Sequence, residues 1–182
     1  AVVSGTSVSI VGGGSTLVEA TQASDSNYNS GSATMTLTVN KIAPTLTFSD
    51  VTKSYGDPDF ELVPSSNSSG TFTYSIADSS IATVNGSSIS IVGAGTTIIT
   101  VLQAADTSYL STAASMTLTV DKSNPTITFN DINKRIGDAD FNLSATSNST
   151  GVFSYLLANS SVATLSGTTV SILATGTTRV TV

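Results

Sequence analysis

The amino-acid sequence predicts an all-β fold built of repeated antiparallel β-sandwiches, and three observations carry that expectation. The chain of 182 residues repeats itself at a fixed spacing of 81. Without a gap, residues 41–101 match 122–182 at 31 of 61 positions, and residues 1–40 match 82–121 at 21 of 40. Half identity with no insertion means one fold used again. Within a period, short runs alternate apolar and hydroxyl residues, and Gly, Asn, Asp, Ser and Pro bound them, which is the pattern of half-buried antiparallel strands. No apolar stripe of helical spacing persists over ten residues, so helices are expected to be nearly absent.

The middle period supplies the elements in order. Strands are predicted at 45–51, 60–63, 71–77, 81–84, 88–92, 96–104 and 115–120. In the first, Leu46 and Phe48 alternate with Thr45 and Thr47; in the last, Met116, Leu118 and Val120 alternate with Thr117 and Thr119. Apolar residues therefore share one face and hydroxyls the other. Short strands with frequent turn signals are the signature of an immunoglobulin-like sandwich, here without a disulfide because the chain has no Cys. Asn85-Gly86 reads as a type I′ hairpin turn, which requires positive φ at both central residues. Ser4-Gly5 and Ser166-Gly167 keep its Gly. Gly12-Gly13-Gly14 and Gly93-Ala94-Gly95 mark the next tight connection. Pro44 and Pro125 close short segments, 40–44 and 121–125, that read as stiff domain junctions.

These junctions divide the chain into residues 1–40, the C-terminal half of a repeat; 41–121, a complete repeat; and 122–182, a repeat lacking its last strand. Neither end portion is expected to close a sandwich alone, so the chain is read as a segment of a longer polypeptide or as one whose missing strands a partner supplies.

Composition narrows the function. Only 10% of residues are charged, while Ser and Thr number 62, so hydroxyls rather than ions keep the surface wet. The absence of Cys, His and Trp removes thiolate chemistry, imidazole metal sites and the Ser/His/Asp triad. A net charge of −6 with six Lys and Arg argues against nucleic acid, whose phosphates need clustered cations. No run approaches the length of a membrane span.

The segments KIAPTLTFSDVTKSYGDPDFEL (41–62) and YSIADSSIATVNGSSISIVGAGTTIITVLQAADTSYLSTAASMTLTV (74–120) resemble the tandem bacterial immunoglobulin-like repeats of large surface and secreted proteins. In those repeats an ITF strand, a TYGD turn, a VATVxG hairpin, a GxGTT strand and a QA…Y segment precede a final TLTV strand. The resemblance implies an extracellular location and a role as stalk, spacer or adhesive module, and brings no catalytic residues. The chain departs from the pattern at Tyr55, where the second copy has Ile136.

Three constellations remain. Asp50, Asp57 and Asp59 recur as Asp131, Asp138 and Asp140, and oxygen clusters at loop ends suit calcium. The competing reading makes Asp57 and Asp138 turn residues that bind local N–H groups, and nearby Lys53 and Lys134 would weaken cation binding. In the segments QASDSNY and QAADTSY, Asp25 and Asp106 stand three residues before Tyr28 and Tyr109, and with Gln22 and Gln103 they read either as a sugar-binding rim or as a loop in which the Tyr ring is buried and its hydroxyl meets backbone. Thr34, Thr36, Thr38, Thr117 and Thr119 form rows that read either as a flat ice- or glycan-binding array or as the Thr-rich face of any exposed strand, and the second reading is favoured because β-branched residues fit a pleated surface. Asn-x-Ser/Thr patterns begin at Asn67, Asn85, Asn148 and Asn159 but arise by chance in a chain so rich in hydroxyls.

The expected function is a structural spacer of a bacterial cell-surface adhesin or filament, not an enzyme. Its partners are neighbouring repeats, and it projects a distal binding region. The alternative expectation makes each repeat a binding module for glycan, surface or neighbouring filament. Scatter of the variable positions Tyr55/Ile136, Glu61/Asn142 and Ile98/Arg179 favours the spacer; a shared patch favours binding.

Overall fold

The computed structural model describes residues 1–182, all of them strand, turn or irregular chain without a helix. Backbone contacts divide it into unit 1, Ala1–Ser123, and unit 2, Asn124–Val182.

Unit 1 opens with two hairpins, β1 (Val2–Ser4) with β2 (Ser7–Ser9) and β3 (Gly14–Gln22) with β4 (Gly31–Val39). Nine further strands follow: β5 (Leu46–Thr47), β6 (Val51–Ser54), β7 (Phe60–Glu61), β8 (Ser65–Ser66), β9 (Phe72–Ile76), β10 (Ala82–Asn85), β11 (Ser88–Ile91), β12 (Gly95–Gln103) and β13 (Thr112–Asp121). They form a four-stranded sheet in the order β6-β13-β12-β9, a three-stranded sheet β10-β11-β7, and the pair β5-β8. Alternation decides which side chains go inward. Ile99 from β12 and Met116, Leu118 and Val120 from β13 are buried in one cluster with Ala82 and Ile89 of the three-stranded sheet and with Leu62. Thr100 and Ser115, on the opposite parity, join hydroxyls across β12 and β13 at 2.9 Å.

Two expectations change. The strand predicted at 45–51 is two strands: β5 pairs antiparallel with β8, whereas β6 pairs parallel with β13. The chain changes sheets at Ser49-Asp50, where the Asp50 carboxylate accepts the Thr117 N–H at 2.6 Å. The hairpin turn is also displaced by one residue. Asn85 pairs with Ser88, so Gly86-Ser87 form the loop, and only Gly86 has positive φ, 61°. A two-residue loop with Gly first is the type II′ pattern rather than I′. Gly5 at 60° and Gly167 at 62° occupy the same place.

Unit 2 contains β14 (Ile127–Thr128), β15 (Phe141–Asn142), β16 (Thr146–Ser147), β17 (Leu156–Leu157), β18 (Ala163–Ser166), β19 (Thr169–Ile172) and β20 (Val180–Thr181). Its pairings β14-β16, β15-β19-β18 and β17-β20 have the register of β5-β8, β7-β11-β10 and β9-β12 with 81 added to each number. The buried core here is Leu143, Ala163 and Val170. No helix is long and apolar enough to cross a membrane.

Candidate functional site

The six aspartates singled out for calcium do not converge. Asp57 accepts the Ser54 N–H at 2.9 Å while its own N–H reaches Ser54 O, which closes the turn at Gly56. Asp138 does the same with Arg135 in the second copy. Asp59 accepts the Ser90 hydroxyl at 2.7 Å and Asp140 that of Ser171, also at 2.7 Å. Asp50 holds Thr117, and its counterpart Asp131 borders a groove in unit 2. No three acidic side chains gather closely enough to hold a metal ion. Lys53 and Lys134 place their ammonium groups over the rings of Phe60 and Phe141, at 5.0 and 5.1 Å.

The densest polar site is built instead around Asp106. One carboxylate oxygen accepts the N–H groups of Ser108 and Tyr109, each at 2.7 Å. The other accepts the Ser68 hydroxyl, the Ser69 N–H and the Ser69 hydroxyl at 2.8 to 3.1 Å. The N–H bonds of Ser108 and Tyr109 hold the Asp106 carboxyl well below the usual carboxylate range, with Ser69 and Ser68 adding to it. Three residues earlier, Gln103 is wholly buried. Its amide nitrogen donates to Ser68 O and Gly70 O at 2.9 and 3.1 Å, and its oxygen accepts the Ser66 hydroxyl at 2.7 Å. Gln103 and Asp106 thus tie the 66–70 loop to the end of β12.

The segment after β12, residues 106–109, also meets the preceding chain. Ile42 bridges to Tyr109 in parallel, and the Lys41 ammonium donates to Asp106 O at 2.6 Å. Gly13 donates its N–H to Thr107 O at 2.7 Å. A Cβ at Gly13 would stand 2.5 Å from Lys41 Cγ, and one at Gly12 would stand 3.2 Å from Thr107 O. An open cleft of about 670 Å³ lies beside these residues, lined by Val11, Gly13, Lys41, Ser69, Asp106 and Thr107. Its two charged side chains are already engaged, Asp106 by five donors and Lys41 by a carbonyl, so the arrangement orders backbone.

The Tyr residues of the QASDSNY and QAADTSY segments do not act as expected. Tyr28 is 75% exposed, and Tyr109 reaches Asp106 through its N–H. The tyrosine hydroxyl that meets backbone belongs to Tyr155, which accepts the Ala145 N–H at 3.2 Å. Asn67 and Asn148, noted as glycosylation patterns, accept the Thr45 and Thr126 N–H groups at 2.8 Å. Gln103, which the sugar-rim reading would place on an exposed rim, is instead buried; its inward parity with Ile99 and Val101 is the signal for that.

Neither a comparison with protein-family models nor one with curated proteins gives a match to this chain.

Proposed function

We propose that this chain is a structural spacer: tandem immunoglobulin-like sandwiches of 81 residues forming part of the stalk of a bacterial surface adhesin or surface filament, outside the cell. The observation that carries the reading is the junction between residues 1–40 and the following repeat. There Gly13 donates to Thr107 O, Lys41 donates to Asp106 O, and Ile42 pairs with Tyr109. A linker in which the Ile42 N–H and C=O are both bonded to the next repeat, at Ser108 and Leu110, beside a Lys41 side chain held by Asp106 O, resists bending in a way that a flexible tether does not. The positions that vary between copies support the same reading. Glu61 lies on the three-stranded sheet, Ile98 on the four-stranded sheet, and Tyr55 beyond the end of β6. A module that bound glycan or a surface through each repeat would gather them. In this reading the aspartates serve turns and strand ends, and stiffness does not depend on calcium.

The test uses the lack of Cys. Spin labels on Thr34→Cys and Ser75→Cys, both at exposed strand positions, report the distance across the junction by pulsed electron resonance. The expected result is a narrow distribution that EDTA leaves unchanged. Gly13→Val, which forces Lys41 aside, should broaden it. A broad distribution in the parent chain would sink the stiff-spacer reading.

A further inference from the structure

Among the asparagines of the chain, Asn85 alone is followed by Gly. Several others have their side-chain oxygen engaged: Asn67 and Asn148 accept the Thr45 and Thr126 N–H groups, Asn142 accepts the Thr169 hydroxyl, and Asn159 accepts both the N–H and the hydroxyl of Ser161. The Asn85 amide is exposed at the end of β10 and has no such partner. The backbone nitrogen beside it is free as well. Gly86 lies in the loop beyond the closing pair Asn85–Ser88, its N–H meets no backbone acceptor, and the space over its Cα is open. β10 is the edge strand of its sheet, with β11 as its one neighbour.

We propose that Asn85-Gly86 is a site of self-modification, at which the Asn85 side-chain amide becomes a carboxylate with water as the only co-reactant. The Gly86 nitrogen loses its proton and attacks Asn85 Cγ. The new C–N bond closes a five-membered imide, and the side-chain nitrogen takes up the proton and leaves as ammonia. Water then adds to one of the two imide carbonyls and opens the ring. One opening leaves aspartate; the other leaves a β-linked residue whose side-chain carbon has entered the main chain. Carrying both reacting groups on adjacent residues replaces a bimolecular encounter, and Gly sets no Cβ in the way of the ring. Pairing of Asn85 with Ser88 opposes the rotation that ring closure needs, so the reaction draws on local opening of the hairpin end.

The change is confined to this repeat and reaches the core. Ser4 and Ser166 hold the same place in the other copies and have no amide to lose. In the β-linked product the main chain before the turn is longer by one carbon. The Asn85–Ser88 pair is then broken, and Ser87 O, which accepts the Leu62 N–H at 2.8 Å, is displaced. Leu62 belongs to the buried cluster, so the modification frees it from the hairpin. The proposal is independent of the spacer reading, since a flexible junction would leave this hairpin unchanged.

The test incubates the full chain at mildly alkaline pH, which favours the deprotonated amide nitrogen, both folded and unfolded in urea. Ion-exchange chromatography follows the charge, and peptide mass spectrometry with electron-transfer fragmentation locates the product and separates the β-linked residue from aspartate. The folded chain is expected to gain a negative charge at Asn85, more slowly than the unfolded chain and ahead of every other asparagine. In the isolated β-linked product the Leu62 and Ser88 amides should lose protection from hydrogen exchange. Asn85→Ser, which copies Ser4 and Ser166, should abolish the charge gain, and circular dichroism checks that this variant is folded. A folded chain that keeps its charge when the unfolded chain has converted completely would overturn the proposal, because the hairpin would then hold Asn85 inert. So would a charge gain that persists in Asn85→Ser, conversion of another asparagine at an equal rate, or a β-linked product in which Leu62 stays protected.

Discussion

Asp106 accepts five hydrogen bonds, and Asp25 shows what the same side chain does with fewer. Asp25 takes the N–H groups of Asn27 and Tyr28, each at 2.8 Å. Both carboxyls are held below the ordinary value by these N–H donors, first Asn27 for Asp25 and first Ser108 for Asp106. The consequence for stability follows from linkage. Around pH 4 and below, the unfolded chain takes up a proton at the aspartate while the folded chain keeps it ionised. The unfolded state then binds more protons, so stability rises with pH in that window. The contribution is fully present above about pH 5, beyond the unfolded aspartate pKa, and is lost as pH falls toward the lowered folded value. Thermal unfolding of unit 1 should therefore shift little between pH 7 and about 5 and fall steeply below about 4. Asp106→Asn should flatten that fall more than Asp25→Asn does. Equal acid sensitivity in the parent and the Asp106→Asn chain would contradict the assignment.

At the scale of elements, the sequence announces what alternation and glycine control and hides what a few backbone bonds control. The β10–β11 and β18–β19 hairpins were legible because apolar residues at every second position flank a Gly. The turn itself was placed one residue early because Asn-Gly suggests a loop in which both residues have positive φ, whereas pairing of Asn85 with Ser88 leaves only Gly86 there. Gly86 has φ of 61° and open space around its Cβ position. Gly86→Ala should therefore cost backbone strain alone, about 1–2 kcal/mol, read from the midpoint of urea unfolding. An unchanged midpoint would mean that the hairpin relaxes to another turn. The division of 45–51 into β5 and β6 was visible only as a slip of parity, from Leu46 and Phe48 to Val51. β8 gave no signal, since Ser65-Ser66 carries no apolar residue. Of the candidate site, Asp106 was legible as a recurring residue, but Ser66–Gly70, about 35 residues away in sequence, gave no sign of being its partner. Its grip on Asp106 and Gln103 is long-range, and neither spacing nor residue type encodes it.

At the scale of the whole chain, the two units share pairing but not depth of burial. Unit 1 buries Leu62, Ala82, Ile89, Ile99, Met116, Leu118 and Val120, whereas unit 2 buries Leu143, Ala163 and Val170. The difference lies mainly in β13 and in what it covers. Ile99, paired with Met116 on the neighbouring strand, is fully buried, and Val180, the counterpart of Ile99, is only half-buried. Met116, Leu118 and Val120 each contribute about 1.5–3 kcal/mol by leaving water. Their sum approaches the entire net stability of a small domain, about 5–15 kcal/mol. Within residues 124–182 the strands matching β9 and β12 form only the pair β17-β20. Unfolding should then occur in two steps, with unit 2 first. Hydrogen exchange followed through a urea series checks this: residues 124–182 should lose protection at lower denaturant than residues 41–123. A single transition in which both regions lose protection together would mean that the shared pairing, not the filled core, sets the stability of each unit.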